Sequence, residues 1–596
     1  MNILGISCFY HDSAACLIQD GKLVAAAHEE RFTRVRHDHE FPTNAIAYCL
    51  KQGGITTKDL DYVGFYDKPF IKFERIIMTY LATFPQSFAS FTKALPLWLR
   101  KKLWMRQLIH KELDYHGQVI FTEHHQSHAA SAFLYSPFEE AAILTVDGVG
   151  EWATATLGEG KGSDIKIFHE IKFPHSLGLL YSAFTSYLGF KVNSAEYKVM
   201  GLAPYGRPVF YDKIMGDMVC VREDGSFRLN MKYFSYDHGL TMTNKAFAGF
   251  FGYPPRKAES KLEQHHKDIA MSVQKVTEEI VLRMARHLHA VTGQQYLCMA
   301  GGVALNCVAN GRIIRETPFK DLFVQPAAGD AGGALGAAGF IYHTLLGNPR
   351  NGNWENAFLG PEFSDDEIER YLTGQPVSFA VCEDAQRYRT STKIEFTKYS
   401  RNDLLEQTSK LIEAQKVVGW FQGRMEYGPR ALGARSIIAD ARNGENRDKV
   451  NLAIKFRESF RPFAPTVLEE YVSQYFELDR PSPYMLLVAQ VREDHRTIPA
   501  VTHVDGSARI QTINRHENPL YYDLINTFRQ RTGCPVIINT SFNVRGEPIV
   551  CTPDEAFVDF MRTHMDHLVM GSFILNKTDM EPMKEADDWR TRFELD

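Results

Sequence analysis

The chain has 596 residues, of which 44% are hydrophobic and 23% charged, and this balance is typical of a folded protein with at least two domains. Its formal net charge of −5 gives no general attraction to nucleic acid, so basic clusters are interpreted as local sites. Nine cysteines without a CxxC pair are typical of reduced thiols, and the sequence has no secretory signal and no membrane span. We therefore predict a cytoplasmic protein without a nucleic-acid or membrane partner.

Two similar strand patterns occur in the first third of the chain. In the first, apolar runs are separated by polar or glycine turns at residues 3–6, 14–18 and 23–27. The second repeats this order at residues 143–146, 153–157 and 165–168, with a turn predicted at 159–161. The repetition predicts an internal duplication, although short hairpins also resemble one another by chance.

Residues 76–106 combine aromatic and aliphatic side chains with a basic run at 100–102. A helix lying in a membrane interface has this composition. We favour the alternative, a helical insertion beside the active site.

A long amphipathic helix is predicted over residues 262–291, where apolar residues recur every three or four positions, and a strand follows at 296–299. Alternating strands and helices favour the α/β class. The turn-rich stretch 347–353 indicates a domain boundary, and we divide the chain into domains of residues 1–355 and 356–596. The second domain is expected to be α+β or α/β, with a helix at 404–415 and strands at 417–421 and 536–538.

Three glycine-rich turns follow predicted strands in the first domain, at residues 147–151, 300–306 and 329–336. Glycine allows backbone N–H groups to approach a phosphate, and a following helix N-terminus adds positive partial charge. Tight turns and close helix packing use glycine equally often, so nucleotide binding and packing both remain open. The chain has neither a GxxxxGK[ST] motif nor a convincing GxGxxG motif.

His124 and His128 lie four positions apart and would share one face of a helix, where two imidazoles can bind a divalent metal. Asp147 and Asp330 lie in two of the glycine-rich turns and could complete such a site beside a triphosphate. Since the chain has 22 histidines, a chance HxxxH pattern is the alternative.

The second domain contains two dense groups of cations, at residues 424–435 and 455–461. Arginine presents a planar fork to phosphate and lysine a compact charge, so we favour a site for a small phosphorylated anion over a solvated basic face. The polar loop 539–546 follows an apolar strand, and an ordinary turn would have the same composition.

Taken together, these stretches resemble the carbamoyltransferase family nearly from end to end. The resembling N-terminal stretches are 5–7 with His11 and Asp12, 124–132, 197–206, 300–306 and 329–336. The C-terminal ones are 427–435, 455–465, 506–511 and 539–548. The family includes enzymes of nodulation-factor, aminoglycoside, cephem and other antibiotic or toxin biosynthesis.

The resemblance implies an N-terminal domain of the actin/sugar-kinase/Hsp70 type, built from two duplicated halves, and a C-terminal domain similar to the YrdC class. It also implies a reaction. The C-terminal domain takes carbamoyl phosphate, the carbamoyl group is passed to ATP as carbamoyl adenylate, and the N-terminal domain transfers it to a hydroxyl of a small-molecule acceptor.

By the same resemblance, the metal ligands are His124, His128, Asp147 and Asp330. Iron(II) is the expected ion, and the ligand types also admit manganese, zinc or magnesium. The residues expected beside the nucleotide are Gly148, Gly150, Gly301, Gly302, Asn306 and Gly332.

The expected carbamoyl-phosphate contacts are Lys455, Arg509 and Ser541. Further substrate contacts are expected from Arg430, Arg435, Asn543, Arg545 and Asp12. His11 is expected to be the general base for the acceptor hydroxyl. A homodimer is left open.

Two other functions are compatible with parts of the sequence. Synthesis of threonylcarbamoyl-adenosine on tRNA uses related domains, but short basic clusters and an acidic net charge disfavour a tRNA surface. A catalytically silent nucleotide-binding scaffold is disfavoured because the reactive residues are all retained. The identity of the acceptor does not follow from the sequence.

Overall fold

The structure, a computed structural model, describes residues 1–350, 354–375, 394–457, 460–583 and 588–592. It divides into two units, the first comprising Met1–Glu29 with His37–Trp354 and the second Glu30–Arg36 with Glu355–Asp596. Glu30–Arg36 belongs to the second unit, whereas the predicted boundary places these residues in the first domain. Part of the predicted linker (351–353), Cys382 and residues 458–459 of the basic stretch lie outside the described residues.

Besides one separate two-stranded sheet, the described residues of the first unit form two five-stranded sheets with the same strand order. The strands up to residue 350 are β1 (Asn2–Ser7), β2 (Ala14–Gln19), β3 (Lys22–His28), β4 (Tyr62–Phe65), β5 (Gln118–Phe121), β6 (Glu140–Val146), β7 (Ala153–Lys161), β8 (Asp164–Lys172), β9 (Val219–Val221), β10 (Phe227–Leu229), β11 (Tyr296–Ala300) and β12 (Asp321–Val324). Where the structure describes them, the sheets run β3-β2-β1-β4-β5 and β8-β7-β6-β11-β12. In each, the first three strands are antiparallel neighbours and the last two are parallel to the central strand. The predicted duplication and the α/β class are confirmed.

One predicted turn is wrong. Residues 159–161 belong to β7, and the chain reverses at Gly162, whose φ is 58°. The glycines in β7 are required by packing instead, since a Cβ on Gly160 would lie 2.4 Å from the ring of Phe133 and one on Gly158 would lie 2.5 Å from the carbonyl oxygen of Lys166. Glycine in a strand can mark such a close approach rather than a turn.

Helices cover the sheets and fill the space between them. The helix α1 (Glu30–Thr33) belongs to the second unit. Those of the first unit are α2 (Thr43–Gly53), α3 (Pro69–Ala82), α4 (Phe88–Arg100), α5 (Met105–Leu113), α6 (His124–Phe133), α7 (Leu177–Tyr187), α8 (Glu196–Leu202), α9 (Tyr211–Lys213), α10 (Lys245–Phe251), α11 (Gln264–Thr292), α12 (Cys307–Glu316) and α13 (Asp330–Gly339). Helix α11 is the predicted long amphipathic helix, ended by Gly293 in the left-handed conformation.

Helices α6 and α13 form the centre of the first unit. They pack against each other, α13 on β1 and β2 and α6 on β6 and β11. The sequence of α13 consists almost entirely of glycine and alanine because the packing is close: a Cβ on Gly336 would lie 1.7 Å from the carbonyl oxygen of Ser127 in α6. This contact brings the N-termini of both helices near the end of β6.

The second unit is built on one mixed sheet. Its strands are β13 (Thr397–Lys398), β14 (Val418–Phe421), β15 (Arg435–Asp440), β16 (Ala464–Leu468), β17 (Leu487–Gln490), β18 (Ser507–Ile513), β19 (Val536–Ser541), β20 (His567–Met570) and β21 (Phe573–Asn576). Among its described residues the order is β13-β21-β20-β14-β15-β19-β16-β18-β17. Its helices are α14 (Asp365–Leu372), α15 (Arg401–Glu413), α16 (Glu445–Ala453), α17 (Val472–Tyr475), α18 (Pro519–Thr532) and α19 (Pro553–Arg562). The unit is of the α/β kind, and its assignment to the YrdC class stays a prediction.

The expectations about membrane-spanning helices and about cysteines can be compared with the described residues. No described helix combines the length and apolarity needed to cross a membrane. The cysteines that the structure describes are free thiols, and only Cys220 among them is exposed.

Candidate active site

The first unit brings together two imidazoles at the start of α6. His124 and His128 are fully buried, and their Nε2 atoms lie 3.1 Å apart. The spacing of four residues places both rings on one helix face, as predicted. Glu151 fixes this end of the helix, because its carboxylate accepts the backbone N–H of His124 at 3.1 Å.

Two carboxylates complete the cluster. Asp147 directly follows β6, and its Oδ2 lies 3.0 Å from Nε2 of His124. Asp330 is the first residue of α13, and its Oδ1 lies 3.8 Å from Nε2 of both histidines. One potential ligand atom from each of the four residues lies within 4.8 Å of the others. The predicted metal ligands therefore converge on one point.

The chemistry of these four side chains fits a divalent cation. Oδ1 of Asp330 is buried and has no hydrogen-bond partner among the described residues, although a buried carboxylate oxygen normally has one. Burial and the neighbouring carboxylate of Asp147 raise the pKa of Asp330 to about 6. Burial and the neighbouring imidazole of His128 hold the pKa of His124 well below its ordinary value, so its ring is neutral, as a metal ligand requires.

His125, between the two candidate ligands in sequence, has a different role. Its Nδ1 lies 2.6 Å from the hydroxyl oxygen of Thr145 and its Nε2 lies 3.0 Å from the carbonyl oxygen of Ala153. Both ring nitrogens are thus used to attach α6 to β6 and β7. His125 is therefore a matched internal control for the two candidate ligand histidines.

The glycines expected beside a nucleotide also bring the ligand-bearing segments together. Gly301 has a φ of 93°, and a Cβ there would lie 2.3 Å from the carbonyl oxygen of Val146. Its neighbour Gly302 donates its backbone N–H to Oδ1 of Asp147 at 2.8 Å. A Cβ on Gly150 would lie 2.9 Å from that of His124, and one on Gly332 would lie 2.2 Å from a backbone oxygen.

Gly148 is the exception, since a Cβ there would have its nearest neighbours at 3.9 Å. Packing therefore does not explain the glycine at this position. Asn306 has a packing role: its side chain caps α12 by accepting the N–H of Ala309 and exchanges hydrogen bonds with Gln274.

His11 lies in the loop between β1 and β2 and takes part in a chain of polar contacts. Its Nδ1 is 3.0 Å from Oδ2 of Asp12, and the other oxygen of Asp12 is 2.7 Å from Nδ1 of His37. His37 continues the chain, with its Nε2 3.1 Å from the hydroxyl of Ser194. Burial lowers the pKa of His11, but the carboxylates of Asp330 and Asp12 outweigh it and raise the pKa to about 10.

In the second unit, Lys455 joins two of the predicted motifs. Its buried Nζ donates to the carbonyl oxygen and hydroxyl of Ser541, and to the carbonyl and side-chain oxygens of Asn543 at 2.9 and 2.6 Å. Burial and the cations Arg457 and Arg461 hold the pKa of Lys455 well below its ordinary value. An added anion would relieve this unfavourable concentration of positive charge.

The register of the sheet relates Arg509 to Ser541. Gln511 of β18 accepts a hydrogen bond from the Asn539 side chain of β19 at 2.7 Å, so these two side chains lie on one face. Arg509 and Ser541 lie two residues from Gln511 and Asn539 in their own strands and share that face, because side chains alternate along a strand. Arg430 and Arg545 are partly exposed in the loops that precede β15 and follow β19.

Arg435 is placed differently from the other cations. It is fully buried, and its guanidinium donates to the carbonyl oxygens of Gln422, Gly423, Ala434 and Pro361. It also lies over the ring of Phe421, 3.7 Å from the centroid. These contacts give Arg435 a structural role in the loop between β14 and β15.

Sequence reasoning missed a buried cluster behind the loop that carries Asn543 and Arg545. Arg34 forms ion pairs with Glu547 at 3.0 Å and Glu555 at 3.3 Å, and donates to the carbonyl oxygens of Pro548 and Ile549. All these residues belong to the second unit. The cluster fixes the loop, and no local signal could reveal it because its partners are far apart in sequence.

The fold and the first site define a two-unit α/β protein with a candidate metal centre. Comparison with known proteins shows that the chain belongs to the carbamoyltransferase family: residues 2–339 match the family "Carbamoyltransferase N-terminus" and residues 409–577 match "Carbamoyltransferase C-terminus".

Individual relatives extend over most of the chain. The protein sll1178 of Synechocystis sp. is 52% identical, covering 100% of both chains. Nodulation protein NolNO of Sinorhizobium fredii is 38% identical, covering 98% of this chain and 80% of its own. Among solved structures, full-length HypF in its phosphate- and nucleotide-bound form is 13% identical with a TM-score of 0.31, covering 58% of this chain and 56% of its own.

Proposed function

We propose that this protein is an ATP-dependent O-carbamoyltransferase, which moves the carbamoyl group of carbamoyl phosphate to a hydroxyl of a small natural product. The observation that carries the proposal is the match to both family domains in their expected order, over residues 2–339 and 409–577. Relatives described as nodulation proteins support a natural product as acceptor. The functional domains are proposed to be residues 1–355 and 356–596.

In the second domain, Lys455, Arg509 and Ser541 are proposed to bind carbamoyl phosphate. The contact of Lys455 with Ser541, and the shared sheet face of Ser541 and Arg509, support this assignment. Water releases phosphate there and leaves carbamate, whose oxygen is the nucleophile of the next step. Asn543, Arg430 and Arg545 are proposed to complete the anion site, whereas the four carbonyl contacts of Arg435 favour a structural role.

In the first domain, the carbamate oxygen is proposed to attack the α-phosphorus of ATP, forming carbamoyl adenylate and releasing pyrophosphate. His124, His128, Asp147 and Asp330 would hold a divalent cation, iron(II) being the expected one. Such a cation supplies positive charge that stabilises phosphate oxygens. Gly148 and the exposed Gly302 are proposed to border the nucleotide, and Gly302 also orients Asp147 through its N–H.

His11 is proposed to accept the proton of the acceptor hydroxyl while the oxygen attacks the carbamoyl carbon and AMP leaves. A base must be neutral, yet the carboxylates raise the pKa of His11 to about 10. Positive charge bound by Asp147 and Asp330 would oppose this effect and favour the neutral ring. Asp12 is proposed to orient His11, with His37 holding the opposite carboxylate oxygen.

The test is an acceptor-dependent assay with ATP and carbamoyl phosphate. Purified protein is incubated with both substrates and with extracts or pathway intermediates, and the products are searched for a gain of one carbamoyl mass. The proposal expects carbamoylated product, pyrophosphate and AMP to form together. A transfer that proceeds without ATP, or modification of tRNA in place of a small molecule, would contradict it.

A further inference from the structure

The helices α3 and α4 form a hairpin whose outer side is unusually apolar. The two helices run antiparallel, since Phe73 meets Trp98 at 5.8 Å and Tyr80 meets Phe91 at 5.7 Å between ring centroids. More of the large exposed hydrophobic side chains in the described chain lie between residues 70 and 104 than in any other stretch of that length. Such a concentration marks an interaction surface rather than ordinary solvent exposure.

The inner side of this hairpin is firmly attached to the first unit. Lys72 pairs with Asp67 at 2.8 Å, and both side chains are buried. Arg75 lies over the ring of Phe173 at 4.9 Å, and Ser90 donates to the carbonyl oxygen of His238 at 2.8 Å. The hairpin is therefore a built part of the unit, and its exposed side is a stable surface.

The exposed apolar residues of α3 follow the helical period, and the exposed Glu74 lies among them. In α3, Met78 lies eight positions after Phe70, and Leu81 lies three positions after Met78. These spacings place the three side chains on one face of the helix. The buried Lys72 and Arg75 lie on the opposite side. Their exposures reach 68% for Phe70 and 69% for Leu81.

The connection and the second helix continue this apolar surface. Phe84 in the connection is 67% exposed, and Phe88 in the first turn of α4 is 60% exposed. Leu97 and Leu99 are exposed on either side of the buried Trp98. We call this surface of α3, α4 and their connection the hairpin face.

The charged residues on the hairpin face indicate which kind of partner it binds. Lys93 and Arg100 are exposed on α4 at positions seven apart, on the same side of the helix, and the exposed acid of the hairpin is Glu74. Because the exposed cations outnumber the exposed acid, a second copy would present the same net positive charge, whereas an anionic surface would attract this face. Apolar side chains mixed with cations on a non-spanning helix are typical of helices that lie in the headgroup region of a bilayer.

We propose that the hairpin face binds the surface of an anionic lipid bilayer, with Leu81, Phe84 and Phe88 entering the headgroup boundary and Lys93 and Arg100 facing acidic lipids. The sequence alone favoured an insertion beside the active site, and the exposure of these side chains now favours the interfacial alternative. The proposal concerns where the protein acts and is independent of its chemistry.

The experiment is co-sedimentation of the full-length protein with vesicles of phosphatidylcholine alone or mixed with phosphatidylglycerol. Binding to the mixed vesicles is expected. The triple variant Leu81→Ser/Phe84→Ser/Phe88→Ser should bind at least about tenfold more weakly, since each replaced side chain loses apolar burial. Its matched control, Val209→Ser/Leu240→Ser/Val504→Ser, changes exposed apolar residues elsewhere and should bind like the unmodified protein.

The contribution of the exposed cations and the depth of insertion into the bilayer are measured in separate experiments. Lys93→Gln with Arg100→Gln should weaken binding to anionic vesicles about 30-fold and leave any binding to neutral vesicles unchanged. Trp104 is 51% exposed at the base of the hairpin, so brominated lipid should quench a fluorescence component that Trp104→Phe removes.

Two results would overturn the proposal. One is an unmodified protein that stays in the supernatant with anionic vesicles. The other is a concentration-dependent dimer, seen by light scattering, that only the triple variant dissociates, which would assign the hairpin face to a second copy of the chain. Unchanged melting temperatures of the variants establish that all of them are folded.

Discussion

The histidine–aspartate cluster of the first unit and the cationic cluster of the second unit differ in whether their buried charged groups have hydrogen-bond partners. In the first, Asp330 keeps a buried oxygen without a hydrogen-bond partner among the described residues. In the second, Lys455 and Arg435 donate to backbone carbonyls. A buried carboxylate oxygen without a hydrogen-bond partner indicates an added cation, whereas a buried cation on carbonyl oxygens can serve the fold as well as a ligand.

The largest expected effect is on the use of carbamoyl phosphate, through two proposed phosphate contacts in the second unit. Lys455→Ala or Arg509→Ala should lower kcat/KM for carbamoyl phosphate by about 10³-fold or more, because charge-assisted phosphate contacts are lost. ATP binding should survive. Steady-state kinetics and nucleotide titration measure both, with the exposed Lys410→Ala as control. Near-normal kinetics in both variants would mean that the carbamoyl-phosphate site lies elsewhere.

His11→Asn should separate the two half-reactions in the first unit. Pyrophosphate formation from ATP and carbamoyl phosphate should continue, while transfer to the acceptor falls about 10²–10⁴-fold, the range of a general base. Pyrophosphate and carbamoylated product are measured in the same tube, with the exposed His39→Asn as control. Equal loss of both steps would make His11 a nucleotide-site or folding residue.

The metal prediction compares neighbouring histidines of one helix. His124→Ala and His128→Ala should each weaken metal binding about 100-fold or more, and nucleotide affinity should fall with it. His125→Ala should keep its metal, because its ring nitrogens face Thr145 and Ala153. Elemental analysis after dialysis measures the amount of metal bound per protein chain. The assignment fails if the metal content of the two ligand variants equals that of the His125 variant.

The smallest expected effect on catalysis is at Arg435, where stability changes instead. Arg435→Ala leaves four carbonyl oxygens of the β14–β15 loop without their donor and should cost about 3–5 kcal/mol of unfolding free energy. Urea denaturation measures this, with Arg401→Ala, which removes a largely exposed cation, as the control. If the variant has normal stability but fails to bind carbamoyl phosphate, Arg435 is a substrate contact and not a structural residue.

Local patterns predicted much of this molecule. The spacing of His124 and His128 fixed their common face, and the positions of Asp147 and Asp330 at the ends of regular elements brought them to the same edge. Apolar runs separated by turns predicted the hairpins of both sheets. These features depend on residues close in sequence, or on the general rule that the ends of neighbouring elements meet.

What could not be predicted depends on distant neighbours. The ion pairs of Arg34 join residues from opposite ends of the chain, and the carbonyl partners of Arg435 include Pro361 from another loop. Gly160 suggested a turn at residues 159–161 because the helix residue Phe133, which crowds it, is distant in sequence. The outward direction of Leu81 and Phe88 likewise follows from which face the rest of the unit covers.

The central claim is that ATP and carbamoyl phosphate react together on this protein before the acceptor is used. The most direct measurement is pyrophosphate release from ATP in the presence and absence of carbamoyl phosphate, using metal-loaded protein. The account predicts release that requires both substrates and that Lys455→Ala abolishes. Pyrophosphate release that is independent of carbamoyl phosphate, or no release while carbamoylated product still accumulates, would contradict it.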